Sequence, residues 1–211
     1  MSIPKILFRT VPEETSAEVE RWWDGFRRLH PGWETITYRE PIDPEAWPTV
    51  GPLLASCETG AHRAGLLRLE GLVTHGGFYV DSDVEPLRPF DPLLGLSAVA
   101  AWEDETTIPD AVLGSEPGHP AMVEALRRAV LYTKGGRGTY GAGTGMTTEV
   151  FSQRDDVTLL PPGAFYPYHY LEKRRRPQVT RESTPWAYCA HHWHHSWGSE
   201  ESKRSIAARQ R

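Results

Sequence analysis

The chain has 211 residues, the size of one domain able to remove roughly 70% of its unfolded surface from water around a single core. With 39% hydrophobic and 24% charged residues it is neither disordered nor fibrous. A net charge of −5, from 23 basic and 28 acidic side chains, argues against a nucleic-acid module, which needs a basic excess. Two cysteines, Cys57 and Cys189, are too few for a disulfide framework and read as small core residues in a reducing compartment. The opening residues lack the apolar stretch of a signal peptide, and no run of about 18 apolar residues occurs, so the expected setting is cytoplasmic with no transmembrane segment. Membrane contact, if any, would be peripheral and would use Lys173-Arg174-Arg175-Arg176.

In chain order, Ile3 to Phe8 predicts a short strand. Thr15-Ser16-Ala17-Glu18 then spells a helix start. Val19, Trp22, Trp23, Phe26 and Leu29 keep the spacing of one buried helical stripe, and Pro31-Gly32 ends it. Thr35 to Tyr38 reads as a second strand. Positions 41 to 52 hold four prolines and predict a connection with at most a short helical turn. Gly60 to His75 predicts a helix stopped by Gly76-Gly77, and Phe78-Tyr79-Val80 a central strand. Ala98 to Trp102 and Ala111 to Leu113 are further strands, Pro120 to Thr133 a helix, and Val157 to Leu160 a late strand. Between them, Lys134 to Gly145 has six glycines in twelve residues and predicts a loop, though no phosphate-gripping one, since no Gly-Lys-Ser/Thr follows. The alternation predicts an α/β layer structure with a mostly parallel sheet and a ligand site outside the carboxyl ends of its strands. One domain over residues 1–197 and a polar tail over 198–211 are expected.

The segment that carries chemistry is Gly76-Gly77-Phe78-Tyr79-Val80-Asp81-Ser82-Asp83, an apolar strand ending in two carboxylates spaced i, i+2. In an extended chain both point to one side. They would form a hard-oxygen site for Mg²⁺ or Mn²⁺, ions that complete their shell with substrate phosphates. Read alone, the pair equally suits turn residues on a solvated edge. The histidines at 191, 192, 194 and 195 cannot all hold one ion, because neighbours in an extended segment point to opposite sides.

The segment Arg68 to Asp83 resembles the sugar-binding DXD region of the family 32 glycosyltransferases. Ile3-Pro4-Lys5-Ile6, Gly118-His119-Pro120 and His191-His192-Trp193 with Ser196-Trp197 resemble three further motifs of that family, in its order. The resemblance implies a GT-A-type, Rossmann-like fold and a metal-dependent, retaining transfer of a hexose. The implied donor is a UDP- or GDP-hexose, the acceptor a saccharide or glycolipid, and the cofactor Mn²⁺ or Mg²⁺; the building of surface polysaccharides or glycolipids is the implied setting. It implies Asp83 as a direct metal ligand, Asp81 facing ribose and metal-bound water, and His192 as the third ligand, with His191 the alternative. It further implies a donor-binding set of Phe8, Arg9, Thr10, Arg68, Gly77, Tyr79, Asp81, Ser82 and Trp197. Arg68 would reach the donor sugar or its phosphate, and Trp197 would close over the diphosphate. Glu103, Asp104 and Asp110 are placed by order to line the acceptor side, and Asp110 joins Asp81 and Asp83 as a catalytic candidate.

Three departures qualify that reading. The family carries Ser-Asp where this chain has Ala64-Gly65, Phe8 stands where a histidine is common, and Ala142-Gly143-Thr144-Gly145 replaces Thr-Gly-Pro-Gly. Gly65 thus motivates a second reading, a non-catalytic nucleotide-binding relative, in which Gly65→Asp would raise donor turnover. A haloacid-dehalogenase-type phosphatase is a third. Its nucleophile follows the first strand, however, whereas Asp81 lies well inside the chain.

Overall fold

A computed structural model describes residues 2–194. Strand β1 (Ile6–Val11), helix α1 (Ala17–Leu29) and β2 (Glu34–Arg39) open the fold, followed by two short 3₁₀ turns and α2 (Gly60–Thr74). Next come β3 (Gly77–Val80), β4 (Val84–Pro86), β5 (Ala98–Ala101) and β6 (Val112–Ser115). Helices α3 (Pro120–Lys134), α4 (Gly138–Ala142) and α5 (Thr144–Phe151) lead to β7 (Thr158–Leu160) and, after a long basic 3₁₀ segment, β8 (Cys189–His191). Six strands form one sheet in the order β2-β1-β3-β6-β5-β7. Only β6 runs against its neighbours, so the expected mostly parallel sheet is present.

The sheet divides the core by simple alternation. Leu7, Phe78 and Val80 face the side covered by Trp23 and Phe26 of α1. Phe8 and Tyr79 face the side covered by α2, α3 and α5 through Leu66, Leu69, Met122 and Met146. The capping chemistry acts as its residues imply. Ser16 accepts from the Val19 N–H at 3.3 Å at the start of α1, and Thr59 from the His62 N–H at 3.1 Å at the start of α2. Gly77 has φ +90°, and a Cβ there would stand 2.5 Å from the Ile6 carbonyl oxygen. Only glycine lets the chain leave α2 and drop between β1 and β6 at this point.

Three expectations are corrected and one element is added. The first strand lies at Ile6–Val11 instead of Ile3 to Phe8, because Arg9 and Thr10, although polar, find partners inside and continue it. The glycine-rich stretch is not one loop. It holds α4 and the first turn of α5, where burial of Met146, Val150 and Phe151 overrides the low helix propensity of glycine. The ribbon of β4 and β8, three residues each, has no local signature and exists only through long-range pairing. Cys189 is buried as expected, but Cys57 is only half-buried, its thiol pushed up to about 11 by burial. The tail and Trp197 lie outside the described residues.

Candidate functional site

Strand β3 delivers Asp81 to the carboxyl edge of the sheet, where its N–H donates to the Ala111 carbonyl at 2.8 Å. The chain does not continue extended. The Val84 N–H donates back to the Asp81 carbonyl at 3.2 Å, so Asp81-Ser82-Asp83 forms a turn. Pairing of β4 with β8 then sets His191 opposite Val84. The His192 N–H donates to the Asp83 carbonyl at 3.0 Å, and the His194 N–H donates to Asp83 Oδ2 at 2.7 Å. These contacts gather one ligand atom each of Asp81, Asp83 and His191 within 4.8 Å of one another. His191 Nε2 stands 3.2 Å from Asp83 Oδ1 and 4.0 Å from Asp81 Oδ2.

Behind the carboxylates lies a fixed bracket. Asp81 Oδ1 accepts from Arg68 Nη2 at 3.0 Å and from the Tyr79 hydroxyl at 2.7 Å. With its proton so used, Tyr79 accepts from the Thr10 hydroxyl at 2.8 Å. The Arg68 Nε donates to the Ala64 carbonyl, and its Nη1 reaches Asp110 Oδ2 at 3.1 Å and the Asp110 carbonyl. The guanidinium lies 4.4 Å from the centre of the Tyr79 ring. Asp110 Oδ1 accepts from Thr144 Oγ1 at 3.0 Å, which ties the bracket to the first turn of α5.

The electrostatics follow from burial and pairing. Burial pushes the Asp83 carboxyl up, but the charge and hydrogen bond of His191 and the His194 N–H outweigh it and hold Asp83 below the usual range. Asp81 is raised by burial and by repulsion from Asp83, against the pull of Arg68. His191 is lowered by burial but raised further by Asp83 and Asp81, so its net shift is upward. Arg68 likewise ends above its ordinary value, because Asp110 and Asp81 outweigh its burial. Burial raises Tyr79 well above its usual range and keeps it a hydrogen-bond donor.

Several expected site residues take other roles. His192 is not with the aspartates: its Nε2 is 2.9 Å from Glu85 Oε2, its Nδ1 2.6 Å from the Tyr168 hydroxyl, and its ring stacks on Trp22. One residue past the end of β8, still hydrogen-bonded to the Asp83 carbonyl, it faces away from His191. Phe8 is fully buried among Tyr38, His75 and Tyr79, and Tyr79 is itself fully buried, so both support the site from behind. Arg9 pairs with Glu20 at 2.7 Å over the Trp23 ring, and Thr10 serves Tyr79. Gly77 is a packing requirement, and Ser82 is buried in the turn. Arg68 spends its whole fork inside the protein. Glu103 and Asp104 gather at His169, each 3.7 Å from its Nε2. Thr144 carries no sequence signal for its place beside Asp110.

Two carboxylate oxygens and an imidazole nitrogen at this separation suit Mn²⁺ or Mg²⁺, ions of oxygen-rich sites; among the described residues this is the one such cluster. The donor set therefore fits the expected cofactor, with His191 in place of His192.

Residues 26–100 match the family model described as the glycosyltransferase sugar-binding region containing DXD motif. A mannosyl phosphorylinositol ceramide synthase of Saccharomyces cerevisiae is 29% identical over 139 residues, 63% of this chain and 36% of that protein. An inositol phosphoceramide mannosyltransferase of Schizosaccharomyces pombe is 29% identical over 134 residues, 60% of this chain and 37% of that protein. The matched region thus spans little more than a third of these curated relatives. Among solved structures, the PaToxG glycosyltransferase superposes with a TM-score of 0.60 at 14% identity, covering 99% of this chain and 85% of that one. The glycosyltransferase GlyE of Streptococcus pneumoniae TIGR4 gives a TM-score of 0.61 at 11% identity, covering 97% and 60%.

Proposed function

We propose that this chain, which carries the DXD sugar-binding region of glycosyltransferases on their GT-A fold, transfers a hexose from a nucleoside-diphosphate sugar to a hydroxyl acceptor. The transfer proceeds with retention of configuration and uses Mn²⁺ or Mg²⁺. The observation that carries this reading is the convergence of Asp81, Asp83 and His191 at the carboxyl end of the central strand. The names of the relatives make mannose the first sugar to test, and a lipid-linked hydroxyl, rather than a growing polysaccharide, the first acceptor. Two free cysteines suit a cytoplasmic setting.

Asp81, Asp83 and His191 would hold the metal. Bound there, a divalent ion supplies Lewis-acid neutralisation of the diphosphate as negative charge develops on the leaving oxygen. The protein's own work is to orient the ligands. Arg68 and the Tyr79 hydroxyl both hold Asp81 Oδ1, which leaves Oδ2 turned toward Asp83 and His191. Asp110, whose side chain is 17% exposed, keeps acceptor capacity for sugar hydroxyls beyond its bonds to Arg68 and Thr144. A Cβ on Gly65 would stand 3.8 Å from Asp110 Oδ2, so this carboxylate already occupies the space next to the missing acidic residue. Gly65→Asp would therefore crowd two carboxylates together and lower turnover instead of raising it.

The test is a thermal-shift panel of UDP, GDP and dTDP, each with and without Mn²⁺, on the wild type and on Asp83→Asn. One nucleotide should stabilise only the wild type and only with metal, by roughly 2.7 kcal/mol at a hundredfold excess over Kd. Its mannose and glucose conjugates are then assayed for transfer. A metal-dependent shift with no transfer from any conjugate would support the non-catalytic nucleotide-binding reading, absence of any shift would defeat both, and hydrolysis of a generic phosphomonoester without sugar nucleotide would support the phosphatase.

A further inference from the structure

We propose that the surface formed by residues 171–188 binds an anionic lipid membrane and holds the chain's Asp81, Asp83 and His191 cluster near it. This deepens the transferase reading, on which its biological sense rests, by assigning the surface from which a lipid-linked acceptor would be presented. The sequence of this stretch has five basic and two acidic residues in a chain whose net charge is −5, so positive charge is concentrated where the rest of the molecule is acidic. Two large apolar side chains stand out of the same stretch: Leu171 is 48% exposed and Trp186 is 59% exposed. A tryptophan and a leucine flanked by arginines are the chemistry of the headgroup boundary, where an indole sits at the polar edge and cations meet lipid phosphates.

The surface is built before any membrane is present. Ser183 Oγ donates to the Gln178 carbonyl at 2.6 Å and the Thr184 N–H to the Thr180 carbonyl at 3.0 Å, which folds 178–184 into a tight turn between the arginines and Trp186. Arg88 donates to the Pro185 carbonyl and lies over the Tyr188 ring, fixing the base of the turn. Two arginines are spent internally, Arg175 on Glu172 and Arg176 on Glu18. Arg174 and Arg181 are exposed and, among the described residues, form no ion pair within 4 Å, Arg181 having only the exposed Glu182 as an acidic neighbour. They are the charges left to face phosphate.

The segment also borders the site at both ends. His169, just before it, stands against Glu103 and Asp104, and His191, just after it, completes the cluster with Asp81 and Asp83. A bilayer docked on 171–188 is thus joined through both ends of the segment to the residues of the site. No helix among the described residues is long and apolar enough to cross a membrane, so this contact would be made at the surface.

The experiment is co-sedimentation of the purified chain with phosphatidylcholine vesicles, with and without about a third phosphatidylglycerol, at low and high salt. Binding is expected only with the anionic lipid and should fall with salt. Arg174→Ala and Arg181→Ala should each weaken it about fivefold, the equivalent of about 1 kcal/mol per basic side chain at an anionic surface. Trp186→Ala should weaken it by at least as much, with its unfolding midpoint unchanged because the side chain is exposed. Equal affinity for neutral vesicles, no binding at low salt, or full affinity in the double arginine variant overturns the proposal. So does full affinity in Trp186→Ala, which would leave a bare polycation that an acidic protein could equally meet. Donor hydrolysis in the absence of vesicles, measured on the same samples, separates the two readings. Hydrolysis without vesicle binding defeats only this proposal, and vesicle binding without turnover of any donor defeats only the transferase.

Discussion

Two buried arginines show how one residue type serves the two faces of the same sheet. Arg9, within β1, pairs with Glu20, whose side chain is 39% exposed, and lies 4.6 Å over Trp23. Arg68, on α2, pairs with Asp81 and Asp110, 25% and 17% exposed, and lies 4.4 Å over Tyr79. Their burial is nearly equal, at 2% and 4% exposure, yet their proton affinities move in opposite directions. Burial lowers Arg9 and its single carboxylate partner does not restore it; its Nη1 has no hydrogen-bond partner among the described residues. At Arg68 two carboxylates outweigh burial and raise it. The number of partly buried counter-charges decides whether a buried cation is strained or clamped, and the clamped one stands at the site.

The strongest way to break this contrast is to remove the clamp. Arg68→Met leaves Asp81 and Asp110 without their common cation and should cost about 3–5 kcal/mol in a urea titration. If it costs no more than the equivalent change at Arg9, the contrast is wrong. Asp83→Asn is expected to lower sugar transfer by about 10²–10³, some 3–4 kcal/mol, and also to lower stability, because the carboxylate it neutralises pairs with His191 and accepts the His194 N–H. Steady-state rates and melting curves on the same variant check both halves.

His30 sharpens the comparison within the titratable range. It is buried, with Nδ1 donating to the Phe26 carbonyl at 2.8 Å and Nε2 accepting the Phe90 N–H at 2.8 Å, so both nitrogens are used by the neutral ring. Burial lowers its pKa, against the backbone contact to Phe26. Since the folded value lies below the unfolded one, about 6.5, its contribution is fully present above that pH. It is lost as pH falls below about 6.5 toward the folded value. Stability measured across that window should fall with pH in the wild type and fall less in His30→Gln. The smallest effect is expected at Arg9. Arg9→Met should cost no more than about 1 kcal/mol, since Glu20 keeps the Thr15 hydroxyl at 2.6 Å and Arg39 at 3.5 Å.

The order of elements was legible because each announces itself locally. Trp22, Trp23 and Phe26 mark the buried stripe of α1, Ser16 and Thr59 mark helix starts, and Gly76-Gly77 before Phe78-Tyr79-Val80 marks the central strand. Asp81 and Asp83 were legible for the same reason, being attached to that strand. His191 was not separable from His192. Which of the two meets the aspartates depends on the register of a three-residue ribbon whose strands are more than a hundred positions apart. Arg68 was placed on the correct helix, but its direction depends on Asp110, 42 positions away. Phe8 and Tyr79 were assigned to ligand by resemblance, while strand alternation sends both to the face covered by α2.

By itself, then, the sequence determined what is written at short range: caps, stripes, strand ends and the chemical types at the end of β3. Those follow from backbone geometry and the period of each element. The tertiary structure decided which nitrogen faces which carboxylate, where the fork of Arg68 goes, and that Asp110 stands beside Gly65. Distances of a few ångströms between residues far apart in sequence are set by register and packing, and no local pattern encodes them.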